Sequence, residues 1–205
     1  MVERQLRRRG IADERVLGAM LEVPRDRFVP EDERRRSYAD SALPIGSGQT
    51  ISQPWIVAAI CAGLELRGSE RVLEIGTGSG YSAAVLSRLA AEVITIERHS
   101  ELASEAKAQL RDAGAENVEV IVADGSRGLP ERAPFEAIAV HATAPGPPLS
   151  LIDQLSAEGR LVAPIAAKGA DMLTLYRRRD GEVSTEVIGP CRFVPLIGEE
   201  GFTGE

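Results

Sequence analysis

Residues 71–81 read Arg71-Val72-Leu73-Glu74-Ile75-Gly76-Thr77-Gly78-Ser79-Gly80-Tyr81, and this stretch decides the fold. Arg71–Ile75 has the apolar, β-branched composition of a buried strand. Glycines then recur at alternate positions, and Tyr81–Ala90 reads as a helix. Glycine permits a tight turn and a close approach of backbone to a ligand. In an open α/β sheet, small molecules bind at the carboxyl end of such a strand, beside the following helix.

Downstream the alternation continues. Glu92–Glu97, Val118–Val122, Phe135–His141 and Arg160–Ile165 read as strands. Helices are predicted over Glu101–Ala113, closed by Gly114, and over Leu149–Leu155. Met172–Arg177 and Val183–Ile188 flank Asp180-Gly181, a strong hairpin signal. This order predicts an α/β chain with a mostly parallel, seven-stranded sheet, helices on both faces and an antiparallel pair at the end. Upstream, Trp55–Leu66 reads as a buried helix. Residues 1–30 look helical, with Val2, Leu6 and Ile11 at helical spacing and Asp13 placed to cap a helix through Val16, Leu17 and Met20. Val23-Pro24 stops that helix. Residues 30–53 lack periodicity, and a long irregular segment in a compact domain tends to be functional. One domain over 1–205 is expected, with N-terminal helices and a loop at 1–54 and a core at 55–205.

Bulk properties narrow the function. A 205-residue chain with 43% hydrophobic residues buries about 70% of its unfolded surface and needs no disulfide or metal. With aromatics at 4%, Leu, Ile, Val and Ala must fill the core. A net charge of −7 opposes nucleic-acid binding, which needs clustered cations. The basic runs at Arg7, Arg34 and Arg177 are short and read as solvated faces. Cys61 and Cys191, far apart, read as small apolar residues, and with only His99 and His141 beside them no metal site is expected. No apolar run reaches membrane length, and MVERQLRRRG has no apolar stretch behind its charge. The expected compartment is the cytoplasm, with no membrane partner.

The glycine loop selects the ligand. A dinucleotide fingerprint starting at Gly76 would need glycine where Tyr81 stands, and a P-loop would need a lysine that is missing. The GxGxG spacing, with Glu74 two residues ahead, instead resembles the S-adenosylmethionine loop of Rossmann-like methyltransferases. That cofactor has no phosphate and carries an ammonium that Glu74 could meet. Glu97 ends its strand about 20 positions beyond the loop, where a carboxylate can take two ribose hydroxyls. Asp124-Gly125 follows the third strand, in place to meet an adenine ring.

Residues 40–54, DSALPIGSGQTISQP, carry a second signal. The run LPIGSGQTISQP followed by VLEIGTGSGY resembles the protein-L-isoaspartate O-methyltransferase family. Further blocks stand in family order: Arg9-Gly10-Ile11, Val23-Pro24-Arg25, Phe28-Val29-Pro30, Ala133-Pro134-Phe135 and Phe193-Val194-Pro195-Leu196. The resemblance therefore covers nearly the whole chain. It implies a Rossmann-like, doubly wound fold with rearranged last strands and an N-terminal helical and loop extension. It implies a monomer that methylates the α-carboxylate of L-isoaspartyl residues in damaged proteins and peptides, using S-adenosylmethionine and releasing S-adenosylhomocysteine; the ester then collapses to a succinimide. By matched motif, Ser52 falls on the active-site serine, with Thr50 beside it. Gln49, Thr50, Ile51 and Ser52 fall on the loop against the cofactor, and Glu74, Gly76, Thr77, Gly78, Gly80, Glu97, Arg98, Asp124 and Gly125 on cofactor-contact positions. Trp55, Ala166 and His141-Ala142-Thr143-Ala144-Pro145 depart from the family pattern.

The chemistry asks little of a base. A carboxylate is ionised at neutral pH, with a pKa near 4, so the task is to align oxygen and methyl and exclude water. Ser52 Oγ, helped by Thr50 or backbone amides, is expected to orient the acceptor carboxylate. The sequence also permits Ser52 to cap the helix that starts at Pro54, although the functional role is favoured, and Trp55 could wall the substrate site or fill core. A related methyltransferase acting on a different peptide carboxylate is the alternative reading. A non-catalytic cofactor-binding module would tolerate a damaged loop, and both loops are intact.

Overall fold

The computed structural model describes residues 1–204. The N-terminal segment opens with one π-helical turn, Val2–Leu6, and a 3-10 turn, Arg7–Arg9, stopped at Gly10 with φ +92°. Helix α1 (Glu14–Glu22) follows, capped by Asp13, whose side chain accepts the N–H groups of Arg15 and Val16; a free N-terminal turn needs such acceptors. Two 3-10 segments, Arg25–Phe28 and Glu31–Arg36, lead to a hairpin of β1 (Leu43–Gly46) and β2 (Gln49–Ile51). The stretch read as irregular is therefore partly ordered. Its turn runs through Gly46, Ser47 and Gly48, all with positive φ.

Helix α2 (Pro54–Leu64) leads into the main sheet. Its strands are β3 (Arg71–Ile75), β4 (Glu92–Glu97), β5 (Val118–Val122), β6 (Phe135–Val140), β7 (Leu155–Ile165), β8 (Asp171–Arg179) and β9 (Glu182–Cys191). They lie in the order β5-β4-β3-β6-β7-β8-β9. The first five are parallel, and β8 and β9 add antiparallel at one edge. Asp180 (φ 50°) and Gly181 (φ 82°) close the β8–β9 hairpin, the left-handed pair that such a turn requires. The chain reverses its winding between β3 and β6, which opens a crevice at their carboxyl ends.

Both faces of the sheet's central strands are buried, as their continuous apolar runs require. One face packs Val72, Val93, Ala137 and Ala139 against α1, α2, the helix α3 (Tyr81–Leu86) and the helix α4 (Ser100–Asp112). The N-terminal side chains Val2, Leu6, Phe28, Leu43 and Ile51 belong to this same core. The other face packs Leu73, Ile75, Ile94, Ile138 and Val140 under α5 (Leu149–Asp153) and two 3-10 turns. Helix α3 ends at Leu86, earlier than the pattern suggests. The Ser87 hydroxyl bonds the Ala84 carbonyl, and Asn117 Nδ2 takes the Ser87 and Ala90 carbonyls, so continuing the helix would compete with these bonds. Among the described residues no helix is long and apolar enough to cross a membrane.

Candidate active site

A cleft opens at the carboxyl ends of β3, β4 and β6, between the glycine loop, the β1–β2 hairpin and the segment Phe193–Ile197. Its floor is the loop after β3. Four of the five N–H groups of residues 76–80 are already spent: Gly76 and Thr77 donate to the Ile96 carbonyl, Gly78 to Glu97 Oε2 and Gly80 to the Thr77 carbonyl. A phosphate cradle needs such donors free, so this loop suits a ligand that packs against backbone. Gly78 has φ +52°, and a Cβ there would sit 3.2 Å from Ile45 Cδ1 of the hairpin. Glycine is thus what lets the hairpin close over the loop.

Glu97 holds the rim. Oε2 accepts the Gly78 N–H and Oε1 the His99 N–H, each at 2.9 Å. A carboxylate offers about four lone pairs, so two remain for a ligand. Arg98, His99 and Gly125 border the same side of the cleft. A Cβ at Gly125 would meet Ile75 Cγ2 at 2.7 Å, so no larger residue fits beside the floor. Gln49, Thr50, Ile51 and Ser52 line the opposite wall. Helix α2 takes Gln53 as its N-cap, and no side chain caps it. Ser52 is therefore not the helix cap, and among the described residues its hydroxyl is not drawn into any internal hydrogen bond.

Three expected contacts fall elsewhere. Glu74 is fully buried beneath the floor and does not border the cleft. Its Oε2 accepts the Thr95 hydroxyl at 2.6 Å and its Oε1 lies 3.3 Å from His141 Nε2, so it cannot meet a ligand ammonium directly. Gly80 faces α4: a Cβ there would touch Ala106 and Leu110, so it serves helix packing. Asp124 turns from the cleft to hold the C-terminal segment, accepting the Ser126 and Glu199 N–H groups. Its backbone-bonded carboxylate latches the strap that walls the pocket. Trp55 also lies off the cleft; its Nε1 donates to the Arg9 carbonyl and the Arg9 guanidinium sits 4.5 Å over the ring.

The cleft also holds residues that no sequence pattern marked for it. Phe193–Ile197 runs beside Thr143, with Thr143 N donating to Val194 O and Leu196 N to Thr143 O, both at 2.8 Å. Ser82 and His141 stand side by side, Ser82 Oγ 2.9 Å from His141 Nε2. The Phe193 block is visible in the sequence; its place across the cleft depends on pairing with a residue 50 positions away.

Comparison with known proteins decides the family. The model of the protein-L-isoaspartate(D-aspartate) O-methyltransferase (PCMT) family matches residues 1–201. The chain belongs to the protein-L-isoaspartate O-methyltransferase family. A relative of that name from Methanoculleus marisnigri is 52% identical over all of this chain and 93% of its own length. Another, from Roseiflexus castenholzii, is 52% identical over 97% of this chain and 91% of its own. A solved protein-L-isoaspartate O-methyltransferase superposes with a TM-score of 0.84 at 30% identity, covering 95% of this chain and 64% of that one, so this chain spans under two thirds of that structure's length. A β-aspartate methyltransferase (PCMT) from Plasmodium falciparum, solved in complex with S-adenosyl-L-homocysteine, gives 0.82 at 26% identity and covers 93% and 94%. The seven-stranded sheet and its crevice are therefore the Rossmann-like methyltransferase fold that the glycine loop implied.

Proposed function

We infer that this chain transfers a methyl group from S-adenosylmethionine to the free α-carboxylate of L-isoaspartyl residues in proteins and peptides, starting their repair. The observation that carries the reading is one cleft that joins the glycine loop, with most of its N–H groups spent internally, to the Gln49–Ser52 wall, with its hydroxyls free. The residues fit this cofactor. Gly76, Thr77, Gly78 and Gly125 leave room for its body, Glu97 and Arg98 border where its ribose would lie, and no phosphate-binding donors are needed. Bound there, S-adenosylmethionine supplies a methyl activated by a sulfonium.

The chain's own work is alignment and dryness. Ser52 Oγ orients the acceptor carboxylate, with Thr50 beside it. A hydroxyl positions an anion with less loss of nucleophilicity than a paired guanidinium, because it does not neutralise the charge. Ile51, Val57 and Phe193 shield the site from water, which leaves the carboxylate oxygen less solvated and more reactive. No general base is required, since the acceptor is ionised at neutral pH. We take residues 1–205 as one functional unit, since the hairpin of 1–54 and the core of 55–205 wall the same cleft. We place the chain in the cytoplasm as a monomer with no nucleic-acid or membrane partner; the net charge of −7 supports the first exclusion.

The test is methyl transfer from labelled S-adenosylmethionine to two peptides that differ only in L-isoaspartate or L-aspartate at one position. Label in the isoaspartyl peptide alone is the expected result. Equal labelling, or labelling of neither, would overturn the substrate assignment.

A further inference from the structure

The cleft holds a histidine to which the reaction gives no task. His141 follows β6, and its N–H donates to the Ile75 carbonyl at 2.8 Å, which fixes its backbone against the end of β3. Its side chain is 7% exposed and borders the cleft. Three groups face the ring: Glu74 from β3, with Oε1 3.3 Å from Nε2; Ser82 from α3, with Oγ 2.9 Å from Nε2; and Phe193 of the strap, 6.4 Å between ring centroids.

The proton positions follow from Glu74. This carboxylate is fully buried, and a buried charge must find donors or a counter-ion. The Thr95 hydroxyl donates to Oε2 at 2.6 Å. That spends the Thr95 proton, so in the 2.6 Å contact between Thr77 and Thr95 the donor is Thr77. Oε1 has no hydrogen-bond partner that meets full geometry, and the nearest nitrogen is His141 Nε2. Nε2 stands 2.9 Å from Ser82 Oγ and 3.3 Å from Glu74 Oε1, and the tautomer protonated there turns its N–H toward these two oxygens, whereas the other tautomer would set a lone pair against the carboxylate. That tautomer carries its lone pair on Nδ1.

We propose that His141 relays the buried charge of Glu74 to the cleft and accepts, through Nδ1, a hydrogen bond from the ammonium at the amino-acid end of the bound ligand. The inference rests on the S-adenosylmethionine reading of the cleft. It gives Glu74 a part in ammonium recognition although its carboxylate never reaches the ligand. It also gives a purpose to His141, which stands where the chain departs from the family's Ala-rich block.

Calorimetric binding of two ligands to the full chain tests this. S-adenosylhomocysteine carries the ammonium; 5′-methylthioadenosine has the same nucleoside and thioether and lacks the amino-acid end. His141→Phe keeps a ring against Phe193 and removes both nitrogens. It should weaken S-adenosylhomocysteine at least tenfold and leave 5′-methylthioadenosine within twofold of wild type. Glu74→Gln should shift the same ligand in the same direction, and the double variant should fall no further than His141→Phe. Unchanged 5′-methylthioadenosine binding in His141→Phe also shows the pocket intact, so the result stands even if Glu74→Gln does not fold. Equal weakening of both ligands, or of neither, would overturn the proposal while leaving the cofactor reading in place. Failure of the wild-type chain to bind either ligand would overturn both.

Discussion

Glu97 Oε2 accepts the Gly78 N–H at 2.9 Å, so the residue that ends β4 also fixes the centre of the glycine loop. The same carboxylate holds the His99 N–H through its other oxygen. One side chain therefore sets loop position and presents acceptors to the cleft. Glu97→Ala removes both functions. Hydrogen bonds to a charged group are worth about 1.5–3 kcal/mol, and about 1.4 kcal/mol is tenfold in affinity. S-adenosylhomocysteine binding should fall about 10- to 100-fold by calorimetry. Glu97→Gln should fall less, because the amide oxygen can still accept one N–H. A change under about threefold for Glu97→Ala would show that the loop is held by its other bonds.

Ser52→Ala separates alignment from cofactor binding. The hydroxyl serves no helix cap, so its loss leaves α2 intact. Misplacing a reacting group by about 1 Å can cost about 100-fold. The expected outcome is a drop of about 10- to 100-fold in kcat/KM for an isoaspartyl peptide, with S-adenosylhomocysteine affinity held within about twofold. Thr50→Val should give a smaller loss of the same kind. Full activity in Ser52→Ala would remove this residue from the mechanism.

The strands β3, β4 and β5 are legible to the residue because each is a short β-branched run between turn signals, with β3 and β4 buried on both faces and β5 at the sheet edge. The hairpin was not. Leu43, Ile45 and Ile51 alternate over strands of four and three residues, too short for a period to stand out beside Pro44, Gly46, Ser47 and Gly48. Glu74 was read as facing the ligand, yet spacing alone cannot say which face of a strand's last residues turns toward a cleft. Its burial follows from Thr95 on the neighbouring strand. His141 and the Phe193 strap depend on contacts across the sheet, between β3, β6 and the chain's end, which no local pattern encodes. What transferred well was motif order; what did not was side-chain direction.

Neither cysteine should react in the folded chain. Burial raises the Cys61 thiol well above its ordinary range. Burial, with the nearby Asp171 charge, pushes Cys191 up to about 12. The thiolate is the reactive form, so at about pH 8 both thiols are protonated. A colorimetric disulfide reagent should detect no fast thiol in the native protein and both after unfolding in guanidinium. A fast native reaction of one thiol would show that the Cys191 end of β9 opens far more than its packing suggests.

Asp124 ties pH to the strap. Burial alone would raise its carboxyl, but the Glu199 and Ser126 N–H groups, the Ser126 hydroxyl and the Arg98 charge outweigh it and hold the group below the ordinary carboxylate range. A folded-state pKa below the unfolded one means that protonation favours unfolding. The stabilisation is complete above the unfolded value, about 3.9, and is lost as pH falls through the lower folded value. Asp124→Asn cannot hold two backbone donors as a charge does. The residue is solvent-exposed, so screening keeps the effect near 1 kcal/mol, about 2–4 °C in Tm for a chain of this size. That gap should be constant from about pH 7 to about pH 5 and narrow as the pH falls below about 3.9. Because Asp124 latches the segment that walls the cleft, the variant should also bind S-adenosylhomocysteine a few-fold more weakly at neutral pH. A Tm gap that stays unchanged at about pH 3 would show that the Glu199 and Ser126 bonds do not depend on the carboxylate charge.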